Sequence, residues 1–255
     1  MKSKKFKLGL KLWSTNQELI LDANNLYEAG LYQYIELFAV PGSYQDTIAQ
    51  WSSCKIPFVI HAAHYMTGMD LSDSTKSDSN KLLIDEAKSF ADTLSATHII
   101  FHPGVKGTLR ETARQLSVIH DERLLIENVP LSSIDGKFQL LGSTPAEISS
   151  LLSSVPNLGF CLDIVHACCS ANSHALNYQT ILEEYISLSP RVVHLADNKH
   201  DSEIDKHLLL GAGSLPISHS LSILLNNQMI TIESSKKTGN YLKLAIQEAK
   251  SIYEN

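Results

Sequence analysis

"THIIFH", residues 97–102, is the stretch that decides the fold. It is a short continuous run of β-branched and aromatic residues, without polar alternation, that ends on a histidine. Such a run suits a parallel strand buried on both faces. A helical pattern from Leu109 to about His120 follows it.

The same unit recurs outward in both directions. Before it come "KLGLKL" (7–12), "YIELF" (34–38) and "PFVIH" (57–61). After it come "RLLIEN" (123–128), "LGFCLD" (158–163), "RVVHLA" (191–196) and "MITIES" (229–234). Helical stretches follow each run, at Gln17–Ala29, at Tyr44–Ser52 and in a long segment ending near Leu94. Thr144-Pro145-Ala146-Glu147 has the form of an N-cap, a first-turn proline and a capping-box acid, so a helix starts there. Eight β-then-α units in 255 residues predict an α/β chain folded as one (β/α)8 barrel over residues 1–255, with no linker or second domain.

Composition narrows the function. The chain is 44% hydrophobic and 19% charged, ordinary globular usage. The apolar runs are too short to span a membrane. The basic start "MKSKKFKLGLKLW" is interrupted by Lys7 and Lys11 and resembles no cleavable leader, so a cytoplasmic location is expected. A net charge of −6 is not the footprint of a strong general nucleic-acid binder. It leaves room for DNA, because bound cations can reverse the local field. Nothing in the sequence implies a protein partner. Cys161, Cys168 and Cys169 lack paired zinc spacing and read as small buried hydrophobes. The polar loop Thr67–Asn80 reads as exposed, either a solvated rim or a cover over a substrate.

The strand ends carry the chemistry. Strands three to eight finish on His61, His102, Glu127, Asp163, His194 and Glu233. In a barrel all these ends converge on one C-terminal mouth. Six polar groups converging there are costly to desolvate, and three carboxylates repel one another. Divalent metal offsets both costs, and mixed His and carboxylate donors suit zinc, manganese or iron. His166 follows Asp163 by three residues. Asp205 and His207, in "IDKH", point the same way if the chain is extended, although alone they read as a solvated loop.

"FHPG", "IEN", "CLDIVHA", "HLADNK", "DKH…GAG" and "IES", in that order, resemble the successive motifs of endonuclease IV-type apurinic/apyrimidinic endonucleases. That family, AP endonuclease family 2, lies within the xylose isomerase-like TIM barrel superfamily, and the likeness runs from about residue 57 to 234. The resemblance implies up to three zinc ions, with manganese or iron as alternatives. His61, His102 and Glu127 would hold one ion. Asp163, His194 and Glu233 would hold a second, with Glu127 bridging, and His166, Asp205 and His207 a third. The implied activity is metal-dependent hydrolysis of the phosphodiester 5′ of an abasic site in DNA, a DNA repair reaction. Glu127 and Glu233 would be its catalytic carboxylates. His64 and Tyr65 compete for the place of the family's DNA-opening aromatic residue. The family's Gly-x-His-x-Ser pattern reads here as Gly9-Leu10-Lys11-Leu12-Trp13-Ser14, without the histidine, and its DNA-gripping arginine near strand two has no counterpart.

The alternative is a sugar or sugar-phosphate isomerase or epimerase of the same superfamily. "YIELF" looks more like those enzymes. A single metal at Glu127, Asp163, His194 and Glu233 would serve, with two carboxylates as acid and base.

Overall fold

The computed structural model describes residues 5–236 and 240–254. Eight parallel strands close into a barrel in chain order: β1 Phe6–Trp13, β2 Tyr34–Phe38, β3 Phe58–His61, β4 Ile99–Phe101, β5 Leu124–Glu127, β6 Gly159–Asp163, β7 Val192–Leu195 and β8 Gln228–Ile232. The helices are α1 Ile20–Glu28, α2 Tyr44–Trp51, α3 Ser77–Thr93, α4 Leu109–Ser117, α5 Pro145–Ser154, α6 Ile164–Ser173, α7 Tyr178–Ser187, α8 Ile217–Ser222 and α9 Tyr241–Glu254. The barrel is the expected (β/α)8 architecture. Among the described residues no helix is long and apolar enough to cross a membrane.

Local signals set where these segments start and stop. Thr144 Oγ1 accepts from Glu147 N at 3.3 Å and Glu147 Oε2 accepts from Thr144 N at 3.1 Å, so the capping box forms ahead of α5. The helix expected to reach His120 ends at Ser117, and Gln17–Leu19 is a 3-10 turn leading into α1.

Period two along the strands builds the barrel interior in layers. Tyr34, Val59, Ile100, Leu125, Cys161 and Val192 pack together, with Met229 against them. Tyr34 crosses the barrel to reach Thr231 Oγ1 at 2.9 Å, and Gly9 makes room for it, since a Cβ there would run into the ring. Two residues further along each strand lies the next layer: Lys11, Glu36, His61, His102, Glu127, Asp163, His194 and Thr231. The apolar layer is the floor, and the polar layer opens on the C-terminal mouth.

The segment 67–80 departs from expectation. Met69, Asp70, Leu71, Ser72 and Asn80 are all buried. Asp70 Oδ1 accepts from Val105 N at 3.0 Å and Ser72 Oγ accepts from Gly107 N at 3.0 Å, which ties this loop to the one after β4. Its polar composition reflects side chains that satisfy backbone N–H groups internally rather than a solvated surface. Gly68, Ser74, Thr75, Asp78 and Ser79 are the exposed residues of the segment.

Candidate metal centre

The mouth is organised around Glu127, at the end of β5 and 1% exposed. Its Oε2 lies 3.2 Å from both His61 Nε2 and His102 Nε2. Its Oε1 lies 3.2 Å from His166 Nδ1 and 3.4 Å from His194 Nδ1. His61 is oriented by its own neighbour, with Nδ1 2.8 Å from Ala62 O, so Nε2 faces inward. One carboxylate therefore faces four rings, from β3, α6, β7 and the start of the loop after β4.

The Asp163-x-x-His166 spacing has a local cause. Asp163 is the N-cap of α6, and its Oδ1 accepts from His166 N at 2.7 Å. The cap places His166 in the first turn, under the same mouth. Asn128 clamps this junction, accepting from Asp163 N at 2.7 Å and donating to Asp163 O at 2.9 Å. His166 Nε2 then lies 3.2 Å from Asp205 Oδ2, and His207 Nε2 lies 3.1 Å from the same oxygen. The chain here is not extended as expected. His207 has φ 45°, and Asp205 Oδ1 accepts from His207 N at 2.8 Å in an Asx-type turn that turns both side chains toward His166.

All nine candidate positions thus reach one mouth. Two of the expected sets have donor atoms within 4.8 Å of one another, His61, His102 and Glu127, and His166, Asp205 and His207, whereas the expected trio of Asp163, His194 and Glu233 does not appear as one group among the described residues. Asp163 groups instead with Glu127 and His166, and His194 and Glu233 group with Glu36.

Glu36 and Lys11 were not expected at the site. Glu36, fully buried, places Oε2 2.9 Å from His194 Nε2 and accepts there from Thr231 Oγ1 at 2.6 Å. Its Oε1 lies 2.5 Å from Lys11 Nζ, and Lys11 Nζ lies 2.6 Å from Glu233 Oε1. The signal for both was in the sequence. Lys11 and Glu36 follow Gly9 and Tyr34 by two residues, as His61 follows Val59 and His194 follows Val192. They fall mid-strand rather than at strand ends, so a search of strand ends passes over them.

The donor set fits divalent metal. His194 Nδ1, Asp205 Oδ2 and His207 Nδ1 are buried without a hydrogen-bond partner among the described residues. His194 Nδ1 faces Glu127 Oε1 at 3.4 Å and Glu233 Oε1 at 3.3 Å. Buried polar atoms left unsatisfied at such distances are costly unless a cation lies between them. The protonation pattern agrees. Burial alone would raise the Glu127 carboxyl, but His194 and His102 hold it well below the usual carboxylate range. Burial pushes Asp163 up to about 7 against the pull of His166, with Asp205 and Glu127 adding to the rise. His166 and His194 are driven up against burial by the acids and the Cys161 thiol around them. Without metal the mouth holds protons between its acids, and metal binding would release them.

The mouth opens into a cavity of about 450 Å³. His64 and Tyr65 both line it. The His64 ring stacks on His102 with centroids 5.2 Å apart, and Tyr65 lies edge-on to Phe138 at 6.4 Å. Trp13, Met66 and Ile134 form a largely exposed apolar rim. None of the four arginines lines the cavity. Cys161, Cys168 and Cys169 are buried free thiols. Cys161 lies in the floor with a donor atom near Glu127 and His194, whereas Cys168 and Cys169 pack on α6.

A curated relative, the probable endonuclease 4 of Thermoplasma volcanium, is 27% identical over 170 residues, covering 62% of this chain and 59% of that protein. The chain thus aligns with less than two thirds of that relative's length. Among solved structures, endonuclease IV from Thermus thermophilus is 18% identical with TM-score 0.65, covering 97% of this chain and 99% of that one. A D-tagatose 3-epimerase-like protein is also 18% identical, with TM-score 0.70 and coverage of 98% and 97%. At these identities the two structures establish the shared fold. The pattern of the xylose isomerase-like TIM barrel family matches residues 24–254, and the chain belongs to that family.

Proposed function

We propose that this protein is a metal-dependent phosphodiester hydrolase of the endonuclease IV type, cleaving DNA at abasic sites with up to three divalent ions. Zinc suits the donors best, and manganese or iron would also be accepted. The observation that carries the reading is the approach of Asp205 and His207 to His166, with Asp205 Oδ2 3.2 Å from His166 Nε2. An enzyme using one metal at Glu127, Asp163, His194 and Glu233 has no need of that group, nor of His61 and His102. The relative named endonuclease 4 supports the same reading.

When bound, the metal would supply Lewis acidity to the phosphoryl group and acidify a water to serve as nucleophile. The chain's own residues do the rest. Glu127 offers one oxygen to His61 and His102 and the other toward His166 and His194, which fixes the spacing between groups. Glu233, beside the cavity and held by Lys11, would orient the attacking water. His64 and Tyr65 would contact the sugar or flanking base from the wall.

The test is nicking of an abasic-site duplex at low salt with zinc or manganese, beside Glu127→Ala. DNA contacts here would be mostly to phosphates, so binding should weaken steeply with salt. A fully metallated protein that does not nick abasic DNA counts against the reading.

One observation favours a second reading, a metal-dependent sugar or sugar-phosphate isomerase or epimerase. The cavity of about 450 Å³, rimmed by Trp13, Met66 and Ile134, has the size and lining of a small-ligand pocket. Turnover of a ketose or sugar phosphate, with one ion per chain, would move the assignment there.

A further inference from the structure

Lys11 brings a permanent positive charge into the mouth. Its Nζ lies 2.6 Å from Glu233 Oε1, and that same oxygen lies 3.3 Å from His194 Nδ1, the buried nitrogen without a hydrogen-bond partner. Any metal ion held by His194 Nδ1 and the Glu233 oxygen facing it would compete with an ammonium group for that carboxylate. Among the described residues, Glu127 and Asp205, the carboxylates of the other two groups, pair only with histidines and with no lysine or arginine.

Glu36 keeps the lysine there. It is fully buried, and its two oxygens divide the work: Oε1 holds Lys11 Nζ, while Oε2 takes His194 Nε2 and Thr231 Oγ1. Moving Lys11 away would leave a buried carboxylate without its cation, which is costly. The ammonium is therefore anchored rather than adventitious, and like charges a few ångströms apart in a buried site repel strongly.

We propose that Lys11 is a built-in cation that competes with metal for Glu233, so that the two outer groups load first and the inner position at His194 and Glu233 takes its ion weakly. The proposal rests on the reading of this mouth as a multi-metal centre. It makes Lys11 a positioning residue that sets metal occupancy. An ordinary structural ion pair would leave occupancy untouched.

The experiment is equilibrium dialysis of the intact chain against zinc, with elemental analysis, repeated with cobalt so that absorbance reports each ion. Wild type should bind two ions tightly and a third more weakly, by roughly tenfold or more. Lys11→Met should tighten the third ion by a similar factor. Because Lys11→Met leaves Glu36 without its cation and could impair folding, Lys11→Met with Glu36→Gln is compared with Glu36→Gln alone, and the same tightening is expected. Three ions of equal affinity in wild type, or Lys11 variants whose isotherms superpose on their controls, would overturn the proposal. A wild-type chain that takes a single ion overturns both the proposal and the reading beneath it. The expected shift without nicking of abasic DNA sinks the hydrolase reading alone.

Discussion

Glu36 Oε2 lies 2.9 Å from His194 Nε2, and this contact decides which nitrogen of His194 meets the mouth. The ring donates Nε2–H to the carboxylate, so Nδ1 is the nitrogen that faces Glu127 and Glu233 and that would offer its lone pair once a metal ion displaces its proton. Carboxylate-to-histidine contacts of this kind fix the tautomer and raise the basicity of a metal-ligating ring.

Glu36→Ala should therefore weaken metal binding at His194 by about 10–100-fold, with the outer groups little changed. Glu36→Gln should recover most of the loss, because its amide oxygen still accepts from Nε2. Zinc isotherms of the two variants decide it, and equal losses in both would mean that charge rather than tautomer matters.

Glu127→Ala removes the one side chain that faces four histidines at once. Activity should fall at least about a hundredfold, and metal should be lost from more than one group. Elemental analysis of the purified variant beside its rate is the check. Loss of a single ion would mean that Glu127 does not bridge.

Cys168→Ala with Cys169→Ala should leave the metal count unchanged. Cys168 Sγ donates to His200 O at 3.3 Å, and Cys169 Sγ accepts from Asn198 Nδ2 at 3.3 Å, so both sulfurs are already engaged in packing α6. The cost should appear in stability, on the order of 1–3 kcal/mol, read from denaturant unfolding.

His98 supplies a pH dependence that is separate from the metal centre. Burial, with Arg191 nearby, lowers its pKa from 6.5 to about 4. The unfolded chain therefore binds a proton that the folded chain refuses between those values. Stability should fall as pH drops through that window, and be unaffected by this group above it. His98→Gln should flatten the fall relative to wild type, measured by urea midpoints at several pH values in excess chelator. Parallel curves for the two proteins would refute the assignment.

Gly107→Ala should destabilise the chain by about 2 kcal/mol or more, because a Cβ there would collide with the Ser72 carbonyl. The loops after β3 and β4 would be forced apart. Thermal unfolding gives the magnitude, and proteolysis within 67–80 should rise in parallel.

Much of this was legible in the sequence because a barrel strand has only one periodicity. Val59 to His61, Leu125 to Glu127 and Val192 to His194 each step two residues from floor to mouth, so an apolar run ending on a ligating residue gives strand and site together. Asp205 and His207 lie in a loop where no periodicity operates. Their positions depend on an Asx turn and a left-handed φ, and only the motif resemblance pointed to them. Lys11 and Glu36 were missed for the opposite reason. They obey the same period but sit inside their strands, where their charges are hidden among Leu10, Leu12, Ile35 and Leu37. The segment 67–80 was misread because polar composition does not distinguish solvated side chains from those, like Asp70, that cap buried amides.

The seam between β1 and β8 has a consequence for how the protein comes into being. Lys11 and Glu233 are 222 residues apart, yet they meet directly across that seam. During synthesis the outer donors at His61, His102 and Glu127 are available long before Glu233 emerges. An early metal ion would therefore meet a half-built mouth, with Lys11 and Glu36 still lacking their partner from the last strand. Contacts of such long sequence separation form slowly, because a large loop must close first. The final centre is thus a product of barrel closure, and metal supplied after closure should give a more uniform occupancy than metal present throughout refolding.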